Sequence, residues 1–167
     1  MAMSLAMPWN DGEHRMHSLM KAPEYDNPTS DFLSPQVGYM IMQSPIMAIG
    51  VLGEDKRPWT SIWGGEMGFA RPLGGSLIGI RNDVDDKFDP VVEALTKSEF
   101  GKGMEKGMMV SGLPIDLTNR RRVKLFGRVV GGKLSEHEKS LFGDIQLAVN
   151  IEQNLSKYIS MNSITEN

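Results

Sequence analysis

The sequence predicts a mainly β domain, a barrel or sandwich of about six strands with short flanking helices. Two observations carry that reading. Strand-like runs rich in Val, Ile, Trp and Thr recur between glycine pairs and polar turns. Helical periodicity, by contrast, appears only in short stretches. Short strands separated by Gly-rich turns suit a closed or stacked sheet.

In chain order, Asp11 can cap a short helix running through Glu13, Met16, Leu19 and Met20. Pro23, Pro28 and Pro35 punctuate the loop that follows. Ser34-Pro35 reads as a helix start, a hydroxyl cap followed by proline in the first turn, with Val37, Met40 and Ile41 as the buried stripe. Ser44-Pro45 ends it. Ile46 to Leu52 and Pro58 to Trp63 read as a hairpin around Gly53–Lys56. Phe69 to Arg71 is a short strand or bulge, Gly74-Gly75 a turn, and Ser76 to Arg81 another strand. Asp83 to Asp89 forms an acidic loop, and Asp89-Pro90 opens a helix through Val91, Val92 and Leu95. Met108 to Leu113 is a strand, 114–119 a turn, and Arg120 to Val130 the longest strand, which Gly131-Gly132 ends. Leu134 to Leu141 reads as a helical turn, Ile145 to Glu152 as the last strand, and Asn154 to Met161 as a closing helix. The divisions are an N-terminal arm over 1–33, a single domain over 34–161 and a frayed tail over 162–167.

Composition narrows the function classes. The chain has 167 residues and no cysteine, which excludes disulfides, thiolate catalysis and Cys-based zinc sites. A net charge of −3 argues against a general nucleic-acid binder. No run of 18 apolar residues and no convincing leader segment is present, so a cytoplasmic, non-membrane protein is expected. His14 and His17 lack further metal ligands nearby, so no metal site is expected. No P-loop, dinucleotide-binding glycine pattern or Ser-His-Asp arrangement occurs.

Two stretches can carry chemistry. Alternation along Arg120–Val130 puts Arg120, Arg122, Lys124 and Arg128 on one face with Phe126, opposite Val123, Leu125 and Val129. Such a cation row suits an anion such as phosphate, and equally suits a solvated face paired with carboxylates. In Arg57–Gly65, Trp59, Ser61 and Trp63 share one face and Thr60 and Ile62 the other. Aromatics beside hydroxyls fit a flat heteroaromatic ligand, or else a Trp-rich core strand.

These residues also resemble a family. Arg57-Pro58-Trp59-Thr60-Ser61 through Gly64-Gly65 and Gly68-Phe69, then Ile115-Asp116-Leu117-Thr118-Asn119-Arg120-Arg121-Arg122 and Gly127-Arg128, are similar to the pattern of pyridoxamine-phosphate-oxidase-like FMN-binding proteins. The Gly12-Glu13 helix and Lys157-Tyr158-Ile159 fit the same order. Asn154-Leu155-Ser156-Lys157-Tyr158 departs from that subgroup's Asn-Cys-Pro-Lys-Tyr. The resemblance implies a six-stranded Greek-key split β-barrel that forms a homodimer with FMN in a cleft between subunits. It implies cofactor contacts from Trp59, Thr60, Ser61, Ile62, Trp63, Arg81, Asn82 and Lys87, and from Arg120, Arg122 and Lys124. The expected activity is an FMN-dependent oxidoreductase acting on a small organic substrate other than pyridoxamine phosphate. The alternative is a non-catalytic barrel holding flavin or another planar ligand such as haem or a deazaflavin. No general acid or base stands out; Lys157 and Tyr158 are the remaining candidates.

Overall fold

The computed structural model describes residues 8–22, 29–96, 104–135 and 142–156. It is mainly antiparallel β sheet with three helices. Helix α1 (Asp11–Met20) is capped by Asn10 rather than Asp11. The Asn10 side chain accepts from the Glu13 amide at 3.0 Å, and the Glu13 carboxylate accepts from the Asn10 amide at 2.8 Å. This reciprocal pair satisfies two amides that a helix start leaves open. The sheet already takes in β1 (Thr29–Ser30), inside the segment expected to be an irregular arm.

Helix α2 (Pro35–Gln43) begins as the sequence suggests, with the Ser34 hydroxyl accepting from the Val37 amide at 3.3 Å. It buries Val37, Gly38 and Ile41. Strands β2 (Ile46–Leu52) and β3 (Pro58–Gly64) form the expected hairpin. Strands β4 (Ala70–Gly74) and β5 (Leu77–Val84) form a second, turning at Gly74 and Gly75, whose φ values of 119° and 56° suit glycine. Gly38 is where α2 meets β4; a Cβ there would lie 2.9 Å from Pro72 Cγ. Helix α3 (Pro90–Thr96) is capped by Asp89 as expected and buries Val91, Val92 and Leu95.

The C-terminal strands differ most from expectation. Strand β6 (Met109–Asp116) runs through Pro114, which was assigned to a turn; Pro114 is fully buried. Strand β7 (Arg121–Ser135) does not end at Gly131-Gly132. It bulges between Val129 and Gly131 and continues, so Leu134 and Ser135 are strand rather than helix. Strand β8 (Gly143–Ser156) likewise runs on through 154–156 in place of the expected helix start. The rest of that expected helix, the 136–141 part of the expected turn, the tail over 162–167, and Lys157 and Tyr158 lie outside the described residues. The described residues therefore form eight strands rather than six. The glycine pair read as a stop marks a bend in a long strand, as an extra residue locally increases twist without ending the pairing.

The sheet order is β3-β2-β6-β7-β8-β5-β4, with β1 added beside the far end of β8. Its non-sequential neighbours are β1–β8, β2–β6 and β5–β8. The sheet curls until β3 approaches β5. Its edge strands β3 and β4 share no ladder among the described residues. Inward side chains from β2, β5, β6, β7 and β8 meet α2 and α3 in one core that includes Met47, Ile49, Ile80, Leu125 and Leu147.

Asn154 ties the arm to this body. It is buried, and its Nδ2 donates to the carbonyls of Ser30 and Phe32, both at 3.0 Å. Asn154→Leu leaves both carbonyls without that donor. The change should cost about 1–3 kcal/mol. Hydrogen exchange checks it: amides over 29–33 should speed up while those over 145–151 stay protected.

Candidate functional site

The outer face of β5, β8 and β7 carries the most elaborate constellation. Paired residues on neighbouring strands point to the same face, so the register can be read as rows across the three strands. One row is Gly79, Ala148 and Gly131; the next is Arg81, Gln146 and Lys133; the third is Asp83, Asp144 and Ser135. Arg71 extends the first row onto β4. The row of small residues is low, with the Leu73 side chain lying over Gly79 at its β4 end; the cations and then the carboxylates follow it along the strands. A Cβ placed on Gly131 would meet nothing within 4 Å, so the sheet surface there is open. The loop 64–69, with Glu66, Met67 and Phe69, also lines this groove of about 1070 Å³ and adjoins β5, where the Arg81 amide donates to the Phe69 carbonyl at 2.7 Å.

The polar groups are braced from below. The Arg81 Nε donates to Asp144 Oδ1 at 3.2 Å, and Gln146 Nε2 donates to Asp144 Oδ2 at 3.1 Å. Asp144 is nearly buried while the Arg81 side chain is 73% exposed. The carboxylate thus holds the guanidinium at Nε, and the mostly exposed Arg81 side chain borders the groove. Lys133 stands across Gln146, two strand spacings away, or about 10 Å between Cα atoms. Exposed ion pairs alone contribute little stability, so the chief effect of this one is to orient Arg81.

The expected site residues fall into four places. Arg81 and Asn82 line the groove; Asn82 Nδ2 donates to the Asp83 carbonyl at 2.8 Å. Ser61 and Trp63 instead meet Asp89. The Ser61 hydroxyl donates to Asp89 Oδ1 at 2.5 Å and Trp63 Nε1 donates to Oδ2 at 2.9 Å. Oδ1 also accepts the Val91 amide at 2.8 Å, so one carboxylate caps α3 and clamps β3 to it. Trp63 is buried core, while Trp59, Thr60 and Ile62 are exposed on β3. Lys87 sits exposed in the turn after β5, where its amide donates to Asp85.

Arg120, Arg122 and Lys124 lie at the opposite end of β7 from Lys133. Nine residues separate Lys124 from Lys133, about 30 Å along a strand. The expected alternation holds there: Arg122, Lys124 and Arg128 are exposed, and Val123, Leu125 and Val129 are buried. Arg120 precedes the strand in a turn, at φ 54°. Arg128 pairs with Glu152 at 3.1 Å and donates to the Gly107 carbonyl at 3.0 Å. At the hairpin, hydrogen bonds from the Asn119 side chain and amide, with the Thr118 amide, outweigh slight desolvation and hold the Asp116 carboxyl below its ordinary value; Arg121 adds to this.

Arg71, Gly131, Lys133, Asp144 and Gln146 belong to the groove but escape sequence reading. Their signal is the outward parity of β8 and of β7 beyond its bulge, hidden once Gly131-Gly132 is taken as a stop.

No protein-family model matches the chain, and no curated protein matches it significantly. Solved structures do share part of its course. HupZ from Group A Streptococcus overlays with a TM-score of 0.47 at 5% identity, over 75% of this chain and 99% of that one. An F420 reductase gives 0.46 at 11%, over 72% and 98%. A Clostridium acetobutylicum protein related to general stress protein 26 of B. subtilis, of the pyridoxinephosphate oxidase family, gives 0.41 at 14%, over 74% and 92%. The likeness is partial in each case, and no functional statement about this chain follows from it. No helix among the described residues is long and apolar enough to cross a membrane.

Proposed function

We propose that this chain binds FMN in the groove over β5, β8 and β7 and acts as an FMN-dependent oxidoreductase on a small organic substrate. The observation that carries the reading is Arg81, braced by Asp144, across Gln146 from Lys133, next to the open sheet surface at Gly131. A phosphate-bearing, flat molecule needs both parts: cations in a fixed place and sheet surface without side chains in the way. Arg81 and Lys133 would hold the phosphate end, and the open surface at Gly131 would receive the ring. Bound there, FMN supplies the electron or hydride chemistry. The chain's part is to orient it and to exclude water on the loop 64–69 side.

A homodimer whose second copy covers the open side of the groove belongs to this reading; sedimentation tests it. Among the described residues, the groove lining contains no histidine, tyrosine or cysteine. That favours, as a second reading, a carrier or sensor of a planar anionic ligand without turnover. Titrating purified protein with FMN, followed by flavin absorbance and fluorescence quenching, decides the first point. Saturable binding is expected; no uptake at high micromolar FMN removes both readings in their flavin form. Consumption of a reduced pyridine nucleotide by the loaded protein then separates enzyme from carrier.

A further inference from the structure

Helix α1 has well-formed ends but, among the described residues, only the Trp9 ring against His17, at 4.6 Å between centroids, as a ring contact. Asn10 and Glu13 cap its start and Lys21, at φ 50°, closes its end. Yet none of its ten residues is buried. Met16, Leu19 and Met20 form one ridge, 53%, 70% and 68% exposed. An isolated helix of this length is marginal in water, and such a helix draws its stability from burying its apolar face.

A second apolar surface is unfilled on the same chain. A groove of about 400 Å³ between α2 and β4 is walled by Phe32, Leu33, Tyr39, Met42 and Pro72. Phe32, Tyr39 and Met42 remain exposed there. Its rim starts three residues after Thr29. The link from Lys21 to Thr29 spans at most about 29 Å, so the helix stays within that reach of Thr29. Even so, α1 is not seated in the groove of its own chain.

We propose that the Met16–Leu19–Met20 ridge of one copy docks into this α2–β4 groove of a second copy, and reciprocally. Each copy carries both surfaces, so a two-fold exchange covers all four at once. Methionine on both sides, Met16 and Met20 against Met42, lets the fit adapt. The exposed Met16, Leu19 and Met20 then gain apolar burial. This exchange rests on the homodimer reading above and adds to it which surfaces meet.

The chain has no cysteine, so introduced thiols report contact without background. Full-length Leu19→Cys and Met42→Cys proteins are prepared separately, mixed and oxidised mildly. A covalent dimer is expected in the mixture and not in either protein alone. In sedimentation, Leu19→Asp should raise the dimer Kd about tenfold, as loss of one central apolar anchor does. A mixture that stays uncrosslinked while sedimentation still reports a dimer overturns the exchange and leaves the dimer reading standing. A monomer in sedimentation overturns both. A crosslink found only within single chains of the Leu19→Cys/Met42→Cys double variant overturns the exchange as well, placing the helix on its own groove.

Discussion

Trp63→Ala should cost the fold about 3–5 kcal/mol, the range for deleting a large buried aromatic. For a domain of this size that lowers Tm by roughly 10–15 °C. Two losses combine. The indole is 2% exposed and fills the core beneath β3, so alanine leaves a void. Its Nε1 is also one of the donors to Asp89, the residue that caps α3 and clamps β3 to it. Trp63→Phe separates the two effects, because it keeps most of the volume and removes only the donor; about 1–3 kcal/mol is expected. Urea melts followed by circular dichroism measure both. An alanine variant within 1 kcal/mol of the parent would mean that this strand can leave the core at little cost, contrary to its placement here.

The second large effect is on ligand binding. Arg81→Ala should weaken FMN binding about 10- to 150-fold, the equivalent of a charge-assisted contact worth about 1.5–3 kcal/mol. Stability should barely move, because the side chain is mostly in solvent. Asp144→Asn probes the brace separately, since it keeps the shape but withdraws the charge that holds Arg81. A smaller loss is expected, because the guanidinium is still present but less fixed. Arg122→Ala, at the far end of β7, should leave the affinity within about twofold. Equal losses in Arg81→Ala and Arg122→Ala would detach the binding site from the groove.

These expectations show where sequence is a good guide and where it is not. Local chemistry was readable. Ser34-Pro35 and Asp89-Pro90 start helices because a capping oxygen and a proline act within one turn. Alternation along Arg121–Val129 was readable for the same reason, since it needs only the strand's own period. What sequence could not supply is register. Which residue of β8 stands between Arg81 and Lys133 depends on two ladders and a bulge far apart in the chain. The groove is defined by that register, so only Arg81 and Asn82 of the expected contacts fall in it. Trp63 and Ser61 do set an aromatic beside a hydroxyl, as their alternation on one strand face suggests. The structure shows both meeting Asp89 of the same chain.

Strand β8 comes last among the described elements, yet it sits beside β7, β5 and β1 at once. Thr29 must find Leu155, and Ile78 must find Val149. Closing such long loops is entropically slow and sets the pace of folding in β proteins. During synthesis, the first hairpins can form while the groove still lacks its central strand. The ligand surface therefore comes into existence only with the final docking step. A ligand that needs all three strands can reward the finished sheet but cannot template an earlier intermediate, so it should slow unfolding far more than it speeds folding.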